Sequence, residues 1–335
     1  MLDVAALREE VGRSLDASPP TLPPKLFYDE EGTRLFEKIT RLPEYYLCRT
    51  EIQILHTYLP RIAEYAGPGV KVVEFGSGSG EKAELLLEAL ERPASYIPVD
   101  IAREQLDLVA ARVGHEFPEL RVLPLVADFT CPVQLPEVDE PEHAKSGRPL
   151  LFFPGSTIGN FEPEDARDFL QAAGVSLGSG AALIIGFDLV KARGFLEAAY
   201  DDAAGVTAAF NLNALRHLNR LLHTDFRLEC FRHRAVWNPE ASRIEMHLVA
   251  LADQVVTLPS SLSRTPQYRL RLRAGDHVVT EHSYKYTPEG FRTLAEEAGW
   301  KTVETSTDPR GWFAVGFLEW RNAGFARPVP ESNLL

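Results

Sequence analysis

Leu7, Val11 and Leu15 recur at helical spacing and predict a helix over 5–16, ended by the prolines at 19, 20, 23 and 24. Residues 27–51, FYDEEGTRLFEKITRLPEYYLCRTE, are rich in aromatics and read as helix plus loop. Ile52, Leu55, Leu59 and Ile62 then line one side of a helix over 51–65. From residue 70 the rhythm changes. Short apolar runs, VKVVEF (70–75), SYIPVD (95–100), RVLPLVAD (121–128), PLLFFPG (149–155) and AALIIGFD (181–188), alternate with helical stretches. Such runs are strands buried on both faces, and their alternation with helices predicts a doubly wound parallel sheet.

That rhythm stops near Asp188. Residues 190–222 are helical, and between 226 and 286 apolar and polar positions alternate, as in RIEMHLVAL and YRLRLRAG. Ile244, Met246 and Leu248 share one parity, as in an antiparallel strand with one buried face. A helix (289–298) and two strands (301–306 and 312–319) follow. A β-rich α+β insertion thus interrupts an α/β domain. The expected division is 52–189 plus 287–335 for the α/β domain and 1–51 plus 190–286 for the other, with an irregular tail from Asn322.

Charge narrows the partners. Thirty-five basic and 48 acidic residues leave a formal charge of −13, which repels phosphate and speaks against nucleic acid. No apolar run reaches the roughly 18 residues of a membrane helix, and the acidic N-terminus lacks the apolar core of a signal peptide. Three scattered cysteines make neither a disulfide framework nor a metal motif. A cytoplasmic protein acting on a small molecule is expected, and a monomer is the default.

Glu74-Phe-Gly76-Ser-Gly78-Ser-Gly80-Glu-Lys82 closes the first strand and opens a helix. Glycines there permit a tight turn and close approach of a ligand. A dinucleotide fingerprint needs a third glycine where Glu81 stands, and acids at 74 and 81 oppose a pyrophosphate. They suit a cationic cofactor such as S-adenosylmethionine (SAM). Asp100 ends the second strand, where a carboxylate accepts from ribose hydroxyls. Asp128-Phe129 follows the third strand, where an adenine edge would be met and its face flanked.

These stretches resemble the SAM-dependent histidine Nα-methyltransferases of ergothioneine biosynthesis, which form hercynine. The resemblance is carried by LPPKLFYDEEGTRLF (22–36), RLPEYYLCRTE (41–51), EFGSGSGEK (74–82), GSTIGNF (155–161), DLVK (188–191), AYDDAAGVTAAFNLN (199–213), AVWNPEASRIEM (235–246) and TEHSYKY (280–286). Two positions depart: Leu47-Cys48 stands where the family usually has Pro-Thr, and GSGSGEK replaces the commoner GSGTSEK. The resemblance implies a Rossmann-like class I methyltransferase domain with an inserted substrate domain. It implies that Tyr28, Gly76, Lys82, Asp100, Asp128 and Phe129 contact SAM. It implies that Tyr45, Asn160, Tyr200, Glu281 and Ser283 contact L-histidine, with Met246 lining the imidazole pocket and Tyr45, Asn160 and Tyr200 at the reacting end.

The residue types suit that chemistry. Methyl transfer to an amine is an in-line displacement in which positioning does much of the catalysis, with no metal or covalent nucleophile. Asn160 and Tyr200 are neutral donors able to hold a carboxylate without adding positive charge beside a sulfonium. Glu281 and Ser283, two apart in a strand, emerge on one face and can meet the two nitrogens of an imidazole. Tyr45 and Tyr46 offer ring faces to a trimethylammonium product. His217 and His223 read as packing or surface residues, and Cys48 has no visible activation. Three other readings stand beside this one: methylation of another amino acid such as a tryptophan derivative, a non-catalytic SAM-binding regulator, and an NAD-dependent dehydrogenase.

Overall fold

The computed structural model describes residues 4–131, 133–136, 147–259 and 268–321, so the tail expected to be irregular lies outside the described residues. Helices α1 (Val4–Leu15), α2 (Glu30–Ile39) and α3 (Leu47–Ala66) come first. Then follow β1 (Lys71–Phe75), α4 (Glu81–Ala89), β2 (Ser95–Asp100), α5 (Arg103–Glu116), β3 (Arg121–Val122), β4 (Leu125–Val126), β5 (Pro149–Phe153), α6 (Pro163–Leu177) and β6 (Ala182–Asp188). Helices α7 (Arg193–Tyr200) and α8 (Val206–Leu222) lead into β7 (Phe231–Asn238), β8 (Arg243–Ala250), β9 (Gln254–Leu258), β10 (Tyr268–Leu272) and β11 (His277–Tyr284). Helix α9 (Pro288–Glu297) and the strands β12 (Trp300–Thr307) and β13 (Phe313–Trp320) complete the order.

The chain divides into two compact units, residues 47–190 with 285–335 and residues 1–46 with 191–284. The first holds one sheet in the order β12-β13-β6-β5-β1-β2-β3, with β4 also paired to β2. Its strands run parallel except β13, which is antiparallel to both β6 and β12. This is the expected Rossmann-like arrangement, ending in an antiparallel hairpin. Alternate residues of β1, β5 and β6 face opposite sides, yet Val72, Val73, Leu150, Leu151, Ile184 and Ile185 are all buried, as a parallel sheet covered on both faces requires.

Two features differ from the pattern reading. RVLPLVAD forms two two-residue strands rather than one: Pro124 has no N–H to donate, and the ladder along β2 breaks there and resumes at Leu125. Helix α3 begins at Leu47, ahead of the expected 51, so residues 47–51 go with the parallel sheet. Val190, Lys285 and Tyr286 also join this unit, where Tyr286 N–H donates to Asp188 O and Val190 N–H to Tyr286 O.

The second unit contains the antiparallel sheet β11-β8-β7 and the ribbon β10-β9. Ile244, Met246 and Leu248 are buried together, as their parity requires. The helical stretch after 190 is broken at Asp201–Gly205. Asp202 accepts from the N–H groups of Val206 and Thr207 and caps α8, with Gly205 at φ 73°. Between Val279 and Glu281 the β11–β8 register shifts by one residue. This bulge puts Glu281 opposite Met246 and Ser283 opposite Ile244, on the face that Val278 shares with Leu248.

Candidate active-site residues

In the parallel-sheet unit the glycine loop leaves β1 with positive φ at Gly76 (76°), Gly78 (49°) and Gly80 (76°), a path that only glycine follows without strain. A Cβ on Gly76 would come within 3.7 Å of the Phe129 ring, which stacks on Phe75 at 5.6 Å. The Asp100 carboxylate accepts from Ala102 N–H at 2.9 Å and also faces the amides of Gly78, Ile101 and Ser77. Burial pushes its carboxyl up against the pull of those amides. Asp128 turns back on its own loop, accepting from the amide and hydroxyl of Thr130. The structure therefore brings Gly76, Asp100 and Phe129 to the carboxyl ends of β1, β2 and β4, where open α/β sheets bind ligands.

Glu74 behaves differently from the charged flank read in the sequence. It is buried, accepts a hydrogen bond from the Tyr96 hydroxyl, and its carboxyl is pushed up to about 8 by burial. At neutral pH it is mostly protonated, so the acidic character beside the loop rests on Glu81 and Asp100. Lys82 likewise does not present an uncommitted charge. Its ammonium sits 2.6 Å from the Glu51 carboxylate, and that partner raises its pKa in spite of the burial that acts to lower it. Cys48 lies nearby with its thiol pushed up by burial, consistent with an inert residue.

Asn160 ends a 3-10 turn, Thr157–Asn160, in the same unit. It does not cap α6, whose N-cap is Glu162. Its amide takes part in no hydrogen bond among the described residues. Sequence reading passed over two groups here. One is Glu51, 1% exposed. The other is Ser77, whose hydroxyl is buried in the glycine loop and has no partner among the described residues.

In the second unit, Tyr45, Tyr200 and Ser283 come together. The Tyr45 and Tyr200 rings meet edge to face at 6.2 Å, and the Tyr200 and Ser283 hydroxyls are 2.8 Å apart. Glu281 and Met246 follow on the sheet face that carries Ser283. Tyr28 belongs to this unit rather than to that of the glycine loop. It packs against Phe36 and Phe210, and Phe36 in turn touches Tyr45. Beneath Tyr200, His233 is locked as a neutral ring: Nε2–H donates to Tyr200 O, and Nδ1 accepts from the Asn211 amide, each at 2.8 Å. Burial lowers its pKa and keeps it neutral. Tyr46, read as a second face for a trimethylammonium, is engaged instead: Lys191 Nζ donates to its hydroxyl at 2.6 Å and lies 4.5 Å from its ring centre. His217 hydrogen-bonds Leu26 O at 2.9 Å, a packing role.

A family described as histidine-specific, SAM-dependent methyltransferases matches residues 7–320. The histidine N-alpha-methyltransferase of Mycolicibacterium smegmatis is 42% identical over 314 residues, covering 92% of this chain and 94% of the relative. Ergothioneine biosynthesis protein 1 of Neurospora crassa is 32% identical over 292 residues, 79% of this chain and 32% of that longer protein. A 4-dimethylallyltryptophan N-methyltransferase of Claviceps purpurea is 28% identical over 320 residues, covering 88% and 89%.

Proposed function

The chain belongs to the SAM-dependent, histidine-specific methyltransferases, and we propose that it carries the α-amino group of L-histidine through three methylations to hercynine, the trimethylated step of ergothioneine biosynthesis. SAM is assigned to the parallel-sheet unit. The loop fits it on three counts: a cradle at Gly76 bounded by the Phe129 ring, a carboxylate at Asp100 for the ribose, and the Ser77 hydroxyl, which has no partner among the described residues. Asp128 is assigned to the adenine edge. Lys82 contributes through its place in the loop, its charge being taken by Glu51. When bound, SAM supplies an electrophilic methyl group on a sulfonium. Tyr28 remains a cofactor contact by resemblance alone.

The amino acid is assigned to the other groups. Tyr200 and Asn160 donate to its carboxylate, Tyr45 borders the reacting amine, Met246 lines the ring pocket, and Glu281 with Ser283 reads the imidazole. The observation that carries this reading is the 2.8 Å bond between the Tyr200 and Ser283 hydroxyls, on the sheet face that also holds Glu281. One hydrogen bond has one donor. If Ser283 donates to Tyr200, the phenol proton is directed to a carboxylate and the Ser283 oxygen accepts from a ring N–H. If Tyr200 donates, Ser283 gives its own proton to a ring nitrogen. Only the first sense leaves the Tyr200 proton for the carboxylate, and it is the one that joins recognition of the backbone end to recognition of a nitrogen-bearing ring.

The test is mass spectrometry of L-histidine incubated with the protein and excess SAM. Products carrying one, two and then three methyl groups on the α-nitrogen are expected, with the trimethylated form accumulating. Methylation on the ring, or none with histidine while another amino acid turns over, would overturn the substrate assignment.

A further inference from the structure

Three elements at the carboxyl edge of the parallel sheet converge on Glu51, which the resemblance left without a role. Its carboxylate is 1% exposed and accepts three hydrogen bonds from two partners. Oε2 pairs with Lys82 Nζ at 2.6 Å, at the start of α4 behind the glycine loop. Both oxygens accept from Gly155 N–H, at 3.0 and 2.9 Å, where the loop that ends in Asn160 leaves β5. The third element is β6: a Cβ on Gly186 would stand 1.9 Å from Glu51 Oε1, so the slot for this carboxylate exists because residue 186 has no side chain.

The next residue of the same loop is also held. Ser156 adopts a left-handed φ of 60°, and its hydroxyl accepts from Asp188 N–H at 3.0 Å. Asp188 is itself paired with Lys285 at 3.0 Å, both side chains fully buried. A loop entering Asn160 thus rests on two buried carboxylate–ammonium pairs. A buried pair is a poor source of net stability, because its desolvation offsets its attraction, but removing one partner is costly.

We propose that Glu51 is a positioning residue that sets the Gly155–Asn160 loop and the Lys82 end of the glycine loop in a single arrangement, so that the cofactor loop and the amino-acid loop are ordered together. This rests on the assignment of SAM to the glycine loop and of Asn160 to the amino acid. Glu51 touches neither reactant and acts through the backbone of Gly155 and the ammonium of Lys82.

The experiment uses the full chain and two variants, Glu51→Gln and Glu51→Asp. Gln keeps the size and one acceptor but not the charge, and Asp keeps the charge and withdraws it by one methylene. Amide exchange at Gly155–Asn160 is measured without ligands, SAM affinity by calorimetry, and KM for histidine by turnover. Exchange is expected to accelerate about five- to tenfold in Glu51→Gln, the equivalent of one lost hydrogen bond. KM for histidine and Kd for SAM should rise together, by factors of similar size. Glu51→Asp should fall between Gln and wild type, and it serves as the reading if Gln does not fold. Unchanged exchange at Gly155–Asn160 in a folded variant overturns the proposal, even if thermal stability drops. Faster exchange with an unchanged histidine KM supports the positioning role and removes Asn160 from the amino acid's contacts, which separates the two ideas.

Discussion

Glu74 shows how far a residue's chemistry departs from its letter. In the sequence it is an acid beside a glycine loop, which suggests negative charge for a cationic ligand. In the fold it lies inside β1, buried, with the Tyr96 hydroxyl of β2 donating to it and its carboxyl pushed up to about 8. The burial could be foreseen from a parallel strand, but the facing tyrosine could not, since it depends on which strand pairs with β1. The raised value has a definite consequence for stability. A carboxyl that holds its proton more tightly folded than unfolded contributes stability fully present below its ordinary value of 4.5, and lost as pH rises through about 8. Between those limits the unfolded chain releases a proton that the folded one keeps. Glu74→Gln keeps the shape and removes the titration. Its melting temperature relative to wild type should therefore climb between pH 5 and pH 8, with the variant gaining on wild type as pH increases. Thermal melts across that range check it, and a constant difference would mean that Glu74 does not titrate there.

Elements were legible where one physical rule dominated. Five apolar runs between helices announced a parallel sheet because strands covered on both faces leave little room for polar positions. The third run split because Pro124 cannot donate to the ladder, a rule available in the sequence but outweighed by the apolar pattern around it. The bulge in β11 was not legible at all. Counting by twos from Val278, the residues sharing its face would be Thr280, His282 and Tyr284. The one-residue shift beyond Val279 instead turns Glu281 and Ser283 to that face, beside Met246. Glu281 and Ser283 share a face with each other in either register; the bulge decides which face. Thr280 Oγ donates to Met246 O at 3.0 Å across the irregularity. Deleting Thr280 should restore a regular ladder and present His282 and Tyr284 in place of Glu281 and Ser283. Histidine turnover should fall at least a hundredfold, while SAM binding by calorimetry changes little, because the glycine loop belongs to the other unit. Retained turnover would show that the bulge does not set the substrate face.

For the molecule as a whole, the sheet, the hairpin that ends it and the β-rich insertion were all in the pattern, and the motifs carried the family. What the pattern lacked was every contact made between distant segments: Glu51 with Lys82 and Gly155, Tyr200 with Ser283, Lys191 with Tyr46. On the proposed assignment the Tyr200–Ser283 contact bears on substrate choice, and relatives of this chain are described as methyltransferases of histidine and of 4-dimethylallyltryptophan. An imidazole offers two nitrogens to a carboxylate and a hydroxyl, whereas an indole offers one N–H and would leave a polar group of Glu281 or Ser283 unpaired. A polar group left without its partner in a closed site costs about 1–3 kcal/mol, and sites built to hydrogen-bond a substrate group reject analogues lacking it by about 10⁴ or more. Histidine should therefore exceed phenylalanine by about that factor in kcat/KM, and exceed tryptophan by a smaller one. Glu281→Ala should raise KM for histidine by about tenfold or more and narrow its lead over tryptophan, with SAM affinity unchanged. The measurement is the ratio of kcat/KM for the two amino acids in wild type and variant. If the ratio stays constant while both rates fall, Glu281 supports the fold of β11 without reading the ring, and the choice of histidine must lie with other residues.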